Sequence, residues 1–251
     1  MENTLSQRQV IDLAISIGYN ILKNGGEINR VEDTVKRIAL AYGMDFVHVF
    51  AINTTIIITV EKDGVSLTQS RRILNYSTNL DMLEQLNSLS RKISKKPLSY
   101  KDAMREIKLI EERHRYPEWV IILSYALIGG SFALFFGGDI QEFCVGFLVG
   151  SIIRMVLLFL NFFTAPPFVS NTIGSATTVI LIKLSTFIVP SLNVEVTTIG
   201  VLMNLVPGVL ITNCIRDLIA TDYNSGMAKM IEAFFIAAAI ALGVAVSIFW
   251  R

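Results

Sequence analysis

The N-terminal part of the chain carries two patterns of apolar spacing, one helical and one typical of strands. Apolar residues recur every three or four positions over residues 10–21 and again over 28–42, which predicts two amphipathic helices. Gly25-Gly26 separates them, as a C-terminal cap would. The stretches FVHVFA, TTIIITVE, VSLTQ and RRILNY are short and bounded by turn residues, so they predict an antiparallel sheet.

Two further helical patterns follow the strands. Asn79 and Ser99 stand at their beginnings, where a side-chain oxygen can accept a free N–H of the first turn. The patterns end near residues 94 and 113. Helices and strands together predict an α+β domain over residues 1–117.

Beyond Pro117 the chain becomes almost continuously apolar. A helix needs about 20 apolar residues to cross the hydrocarbon core of a bilayer. The first candidate span begins at Trp119, and the others cover residues 141–160, 168–189, 196–215 and 228–250. We therefore expect an α-helical integral membrane protein, with about five transmembrane helices in residues 118–251 behind a cytoplasmic α+β domain.

Charge supports this division. The chain is 52% hydrophobic and 17% charged, against about 25% charged residues in a typical soluble domain. Of the 22 lysines and arginines, only five follow Pro117, and only seven of the 21 acidic residues do. The boundary between a polar half and a membrane half therefore falls near Tyr116-Pro117.

Basic residues predict the orientation, because they accumulate on the cytoplasmic side of membrane spans. Arg113 and Arg115 precede the first span, whereas the loop GGDIQE that follows it has no basic residue. The N-terminus is thus expected in the cytoplasm, with the chain crossing the inner (plasma) membrane several times. Five crossings place the loop 216–229 inside and the C-terminus outside, where Arg251 fits poorly.

Several classes of function find no support. The net charge of +1 gives no argument for nucleic-acid binding, and no glycine-rich phosphate loop indicates ATP hydrolysis. His48 and His114 have no companion metal ligands at a useful spacing, and Cys144 and Cys214 lie in apolar segments where no disulfide is implied. No cofactor and no metal are expected.

The segment NLVPGVLITNCIRDL interrupts the fourth candidate span with a Pro-Gly pair. Pro207 has no amide hydrogen, so a helix through it would lose one backbone hydrogen bond. In hydrocarbon that loss is tolerated where a neighbouring helix or a water-filled cavity supplies a partner. Transporters often place substrate at such broken helices. Asn204, Pro207, Gly208 and Asn213 are therefore candidate substrate-pathway residues, although a packing kink is the alternative.

Arg154, Lys183 and Glu232 are ionisable groups within apolar spans. Each costs about 2.5–3.5 kcal/mol at the bilayer centre, so each is a candidate functional residue. Arg154 and Lys183 suit a substrate carboxylate. The structural alternatives are an Arg154–Glu232 ion pair and a Lys183 side chain that reaches the membrane surface.

The loop IRDLIATDYNSG carries further charges toward the expected cytoplasmic mouth. Arg216, Asp217 and Asp222 are candidates, with Glu232, for ion coupling or a cytoplasmic gate. The stretch GFLVG, residues 146–150, has the spacing of small residues that pack two membrane helices closely.

A charged motif opens the second predicted helix, in GGEINRVEDTVKRIALAYG. Its candidate residues are Gly26, Glu27, Arg30, Glu32 and Asp33. A carboxylate at a helix N-terminus is favoured by the helix dipole. A solvated face, with Glu32 paired to the lysine four residues later, is the alternative.

These two motifs together resemble the threonine/serine exporter (ThrE/YjjP) family. The resemblance rests on the GGEINRVEDTVKRIALAYG stretch and on LVPGVLITNCIRDLIATDYNSGMAKMIEAF, and it covers nearly the whole chain. Its pattern falls on Gly26, Glu27, Arg30, Glu32, Pro207, Gly208, Asn213, Arg216, Asp217, Asp222, Ser225, Gly226 and Glu232. The resemblance implies gradient-driven export of threonine and serine, or of a dicarboxylate such as succinate.

The odd number of predicted spans bears on partners. Five spans resemble one half of a transporter built from two inverted halves. Some members of the family it resembles are split into two chains, so the resemblance implies a hetero-oligomer with a second small membrane subunit. Two other hypotheses stay open at this point: a membrane-anchored hydrolase acting through Glu27, and a scaffold subunit without a conduit.

Overall fold

A computed structural model describes residues 5–74, 77–112 and 116–249, the side chains of 248 and 249 excepted. The chain forms two compact units: the described residues up to 112 together with Val209–Met230, and residues 116–208 together with those from Ile231 onward. The sequence assigned residues 209–230 to the membrane half, whereas the structure builds them into the first unit. Arg113, Arg115 and Arg251, on which the predicted orientation depends, lie outside the described residues.

The first unit begins with the two predicted amphipathic helices, α1 (Gln7–Lys23) and α2 (Ile28–Ala41). Ser6 and Gln9 form a capping box at the start of α1. At the end of α1, Gly25 has a φ of 87°, a conformation in which glycine avoids the steric cost of a side chain. The cap predicted at this position is therefore confirmed.

An antiparallel sheet follows in the order β1 (Phe46–Ile52), β2 (Thr55–Lys62), β3 (Val65–Arg72). Asp63 and Gly64 close the second hairpin, both with positive φ, as a tight two-residue turn requires. The sheet has three strands rather than four among the described residues. Arg71 and Arg72 continue β3, because their backbone stays paired with β2, and the end of RRILNY lies outside the described residues.

Helices α3 (Leu80–Lys95) and α4 (Tyr100–Glu111) complete the N-terminal part of the first unit. Asn79 and Ser99 cap them through their side-chain oxygens, as predicted. The core lies where α1 and α2 cover one face of the sheet. Alternate residues of β2, including Ile56 and Ile58, are completely buried there.

The second unit consists of long apolar helices: α5 (Glu118–Phe135), α6 (Ile140–Phe162), α7 (Pro167–Ser185), the short α8 (Val194–Leu202) and most of α10 (Tyr223–Phe249). Many large apolar side chains face outward, among them Phe162 at 83% exposure and Phe187 at 85%. In water such surfaces would be costly, whereas lipid solvates them.

Four of the helices are long and apolar enough to cross a membrane: α5, α6, α7 and α10. The predicted fourth span is not a single helix. It is divided between α8 and α9 (Gly208–Ile219), and neither piece is long enough to cross by itself. The expectation of about five continuous spans is therefore corrected to four among the described residues, with a broken segment before α10.

Small residues set the packing of α5 on α6. A Cβ atom added to Gly146 would lie 2.7 Å from the carbonyl oxygen of Gly129, and one added to Gly150 would lie 2.5 Å from that of Tyr125. The backbones of the two helices approach too closely for any side chain at these positions. The helix-packing role predicted for the GFLVG stretch is confirmed.

Candidate functional site

The second unit places an arginine within an apolar helix and supplies it with a carboxylate. Arg154 lies in α6, and its Nη2 donates to Oε2 of Glu118 at 2.9 Å. Its guanidinium carbon lies 5.5 Å from the centre of the Tyr125 ring, within reach of a cation–π contact. Glu118, the first residue of α5, thus forms an ion pair with Arg154, for which the sequence had offered Glu232 as an alternative partner.

Asn204, just beyond α8, contacts the same tyrosine. Its Nδ2 donates to the backbone oxygen of Tyr125 at 3.2 Å and to that of Val201 at 3.1 Å. Asn204 Oδ1 is buried without a hydrogen-bond partner among the described residues, and so is Arg154 Nε. A buried polar atom without a partner costs about 1–3 kcal/mol. This neighbourhood therefore lacks one donor and one acceptor, which a bound polar ligand could supply.

The helix break coincides with the Pro-Gly pair. Helix α8 ends at Leu202 and α9 begins at Gly208, so residues 203–207 lie outside a helix. The interruption predicted at Pro207 is confirmed, while its role in transport stays a prediction. A Cβ atom added to Gly208 would meet no atom within 4 Å, so packing against a neighbour does not explain the glycine.

Lys183 and Glu232 occupy other positions in the second unit. Lys183 Nζ donates to the backbone oxygen of Ser247 at 3.0 Å and so links α7 to α10. This bond gives a lysine in an apolar helix a polar partner. Glu232 lies half-buried in α10.

Residues from two distant sequence motifs meet in the first unit. Asn213 of α9 donates through Nδ2 to the backbone oxygen of Gly25 at 3.1 Å. The Arg216 guanidinium contacts Oε1 of Glu27, and Arg30 Nη2 lies 3.8 Å from the same oxygen. Glu27 is thus held between two arginines at the N-terminus of α2. The sequence placed these motifs in different domains and did not predict the contact.

These residues border a cavity of about 600 Å³ between α2, α3 and α9. Gly26 forms part of its wall, and a Cβ atom there would lie 2.8 Å from the carbonyl oxygen of Ile21, so the turn needs a glycine. The lining residues are Ile21, Gly25, Gly26, Glu27, Arg30, Asp33, Arg37, Leu80, Leu83, Glu84, Asn87, Ser90, Arg91, Val209, Asn213 and Arg216.

A second polar group of the first unit surrounds a buried ion pair. Lys229 Nζ lies 2.5 Å from Oδ2 of Asp217, with side-chain exposures of 9% and 3%. Nearby, Asn53 Nδ2 donates to the backbone oxygen of Ser225 at 3.1 Å. Asn53 Oδ1, Ser225 Oγ and Asp222 Oδ2 are buried without partners among the described residues. No metal-binding group of three or more His, Cys, Asp or Glu occurs in the described part of the chain.

Two carboxyl groups near this ion pair hold protons more strongly than usual. Burial raises the pKa of Asp222, the charge of Asp217 raises it further, and Lys229 opposes the shift. Burial also raises the pKa of Glu32, which accepts a hydrogen bond from the Ala51 amide at 2.8 Å. That amide lowers the pKa in part, and the charge of Asp222 raises it. Glu32 therefore ties α2 to the sheet.

Sequence reasoning missed several residues of these arrangements. Glu118 and Tyr125 surround Arg154, and Lys229 neutralises Asp217. Glu118 had a signal, because it is an acidic residue that directly precedes the first apolar run. Lys229 stood at the end of a predicted loop, and only the folding of α9 against α10 makes it a buried partner.

Comparison with known proteins identifies the family. The model of the threonine/serine exporter family matches residues 12–250. The chain belongs to the threonine/serine exporter family. It is therefore a membrane protein of an exporter family, as the resemblance of its motifs predicted. No solved structure matches the chain.

Individual relatives of this family differ in length. The chain is 26% identical to a protein of Klebsiella aerogenes named a probable succinate transporter subunit YjjP, with 95% of this chain and 92% of the relative covered. The Escherichia coli protein of the same name is 25% identical over 98% of this chain and 96% of its own. The threonine/serine exporter of Corynebacterium glutamicum is 22% identical over 95% of this chain but only 50% of its own length.

Proposed function

We propose that the chain is one subunit of a secondary transporter that exports a small, carboxylate-bearing metabolite together with a second small membrane subunit. The lengths of the relatives carry this proposal. The relatives that match this chain almost end to end have the word subunit in their names. The relative named an exporter outright is about twice as long. A separate chain would supply the part that the longer relative carries within itself.

The substrate binds beside the broken helix in the second unit. Its carboxylate approaches Arg154, whose Nε is an unused donor, and a donor group of the substrate reaches the unused Oδ1 of Asn204. A guanidinium suits a carboxylate because it donates two hydrogen bonds in parallel. The break at Pro207 leaves backbone groups without helical partners, as at other transporter sites.

The pair of unused atoms favours an α-amino acid over a dicarboxylate. A zwitterion offers a carboxylate to Arg154 and an ammonium group to Asn204 Oδ1, so both buried atoms gain a partner. Succinate offers only acceptors at neutral pH and leaves Asn204 Oδ1 unpaired. Threonine and serine are therefore the first substrates to test, with succinate as the competitor that the relatives' names indicate.

The proton gradient drives the outward step, in which the substrate enters from the cytoplasm and leaves across the inner membrane. The N-terminus and the first unit lie in the cytoplasm. Glu232 carries the proton, since it is a carboxyl group on α10, a helix long and apolar enough to cross a membrane. Asp217 is the second candidate, although its partner Lys229 must then release it.

Transport in proteoliposomes tests this function. The chain is reconstituted alone and together with a candidate for the proposed second membrane subunit, and the vesicles are loaded with labelled threonine, serine or succinate. We expect efflux that requires both proteins and a proton gradient. If neither preparation transports any of the three solutes while both proteins are folded and inserted, the exporter assignment is refuted and a scaffold role is favoured.

An arginine variant tests the substrate site. Arg154→Gln removes a charge-assisted hydrogen bond, and efflux should fall at least about tenfold. Folding should survive, because the Glu118 carboxylate left behind is 55% exposed and water can solvate it. Arg105→Gln, an exposed arginine on α4, is the matched control. Equal efflux by the two variants would remove Arg154 from the substrate path.

Proton coupling is tested at Glu232. Glu232→Gln keeps the shape of the side chain but carries no proton at any working pH. We expect the variant to exchange labelled substrate across the membrane without a gradient and to lose gradient-driven accumulation. Unchanged accumulation would exclude Glu232 as the proton carrier.

A further inference from the structure

The cavity between α2, α3 and α9 lies entirely in the first unit, whereas Arg154 and Asn204 of the proposed substrate site belong to the second unit. Its volume of about 600 Å³ equals that of roughly 20 water molecules. A small metabolite and part of its hydration shell fit within it.

Helical spacing directs charged groups into this cavity from three sides. Helix α2 contributes Arg30, Asp33 and Arg37, together with Glu27 at its N-terminus; Glu84 and Arg91 come from α3 and Arg216 from α9. Residues three, four or seven positions apart share one face of a helix, which is why each helix presents several polar groups at once. Four guanidinium groups and three carboxylates therefore surround one space.

Part of this charge is already neutralised. Glu27 contacts Arg216 and lies near Arg30, so these three groups satisfy one another and leave one positive charge. Within the described part of the chain, Asp33, Glu84 and Arg91 form no ion pair. The cavity thus offers charges of both signs that are available to a ligand.

The mixture of signs restricts the ligand. A phosphate or a dicarboxylate would meet the arginines but also the carboxylates of Asp33 and Glu84, which repel it. A cation would meet four arginines. A zwitterion places its carboxylate on a guanidinium and its ammonium group on Asp33 or Glu84, so each of its two charges meets a group of opposite charge. Leu80, Leu83 and Val209 provide an apolar wall for a short side chain.

We infer that this cavity is a second binding site, specific for a free α-amino acid, outside the membrane-spanning helices. Its occupant bridges α2, α3 and α9 and stabilises the first unit by an amount that grows with the logarithm of the ligand concentration once that exceeds the dissociation constant. A site of this kind lets the protein respond to the concentration of free amino acid through a molecule other than the one being exported. The proposal rests on the charges of the cavity and does not require the exporter assignment to hold.

Binding to the purified full-length chain in nanodiscs tests the inference. Serine, threonine and succinate are titrated by calorimetry into the wild-type protein and into Arg154→Gln, which lacks the proposed membrane site. We expect Arg154→Gln to retain a saturable site for serine or threonine. Adding Arg91→Gln or Glu84→Gln should weaken that binding at least about tenfold. Lys92→Gln, the exposed neighbour on α3, should leave it unchanged.

Opposite outcomes overturn the inference. They are loss of all amino-acid binding in Arg154→Gln, equal affinity in Arg91→Gln and Lys92→Gln, or tighter binding of succinate than of either amino acid. Serine should also protect the backbone amides of residues 80–91 from hydrogen exchange. This measurement locates the ligand independently of the variants. If the wild type transports nothing but Arg154→Gln still binds serine, the exporter proposal fails and this inference stands.

Discussion

The buried ion pair of the first unit gives a quantitative prediction. Asp217 and Lys229 lie 2.5 Å apart with side-chain exposures of 3% and 9%. Removal of one member of such a pair leaves the other charge buried without compensation, which costs about 3–5 kcal/mol. The two members should not be equivalent, because the carboxyl group of Asp222 lies near both.

Because of the Asp222 carboxyl group, we expect the two single variants to lose different amounts of stability. In Asp217→Asn the Lys229 ammonium keeps an amide oxygen and the charge of Asp222, so we expect a loss near the lower limit, about 3 kcal/mol. In Lys229→Met two carboxylates face each other without a cation, and we expect a loss near the upper limit, about 5 kcal/mol. The double variant leaves one buried amide without its partner and should lose only about 1–3 kcal/mol.

The chain provides its own reporter for this experiment. Cys214 is buried in the first unit and its Sγ donates to the backbone oxygen of Gly226 at 3.2 Å, whereas Cys144 is exposed. In a Cys144→Ala background, reaction of Cys214 with a maleimide dye during denaturant unfolding measures the stability of this unit. A double variant that loses the sum of the two single losses would refute the ion pair. Equal losses in the single variants would refute the influence of Asp222.

Two further predictions concern pH and helix packing. Burial raises the pKa of Glu32 and of Asp222 above the ordinary values of 4.5 and 3.8. These carboxyl groups therefore stabilise the folded state only while they are protonated. The stabilisation is complete below the ordinary pKa values and is lost as the pH rises through the raised pKa values. Glu32→Gln and Asp222→Asn should therefore raise the unfolding midpoint at pH 7, and the gain should vanish near pH 4; a gain that grows on acidification contradicts the reasoning. Gly146→Ala places a methyl group against the Gly129 carbonyl and should lower the free energy of unfolding by about 1–3 kcal/mol. Cys144→Ala on the same helix is the control and should change it little. Equal thermal unfolding midpoints for the two variants would contradict the close approach of α5 and α6.

Local pattern determined much of the first unit. The caps at Asn79 and Ser99 and the glycine after α1 depend on a few adjacent residues, so spacing and residue type are sufficient to predict them. The third and fourth predicted strands failed as separate elements. Backbone pairing with β2 decides the length of β3, and that pairing is not a local property.

In the membrane half the sequence by itself determined the apolar spans, the helix break at Pro207 and the glycine contact of α6. Each follows from solvation of a continuous run or from the chemistry of one residue. The apolar composition of residues 196–215 also predicted one continuous span there. Mean hydropathy does not depend on backbone hydrogen bonding, so it does not reveal where a helix is interrupted.

Only the tertiary structure decided which charges meet. Arg216 contacts Glu27 across 189 positions in the sequence, and Arg154 pairs with Glu118 across 36. Helical periodicity gives the face on which a residue lies, but it contains no information about which helix that face meets. The structure also assigns residues 209–230 to the first unit, since their contacts rather than their composition determine where they pack.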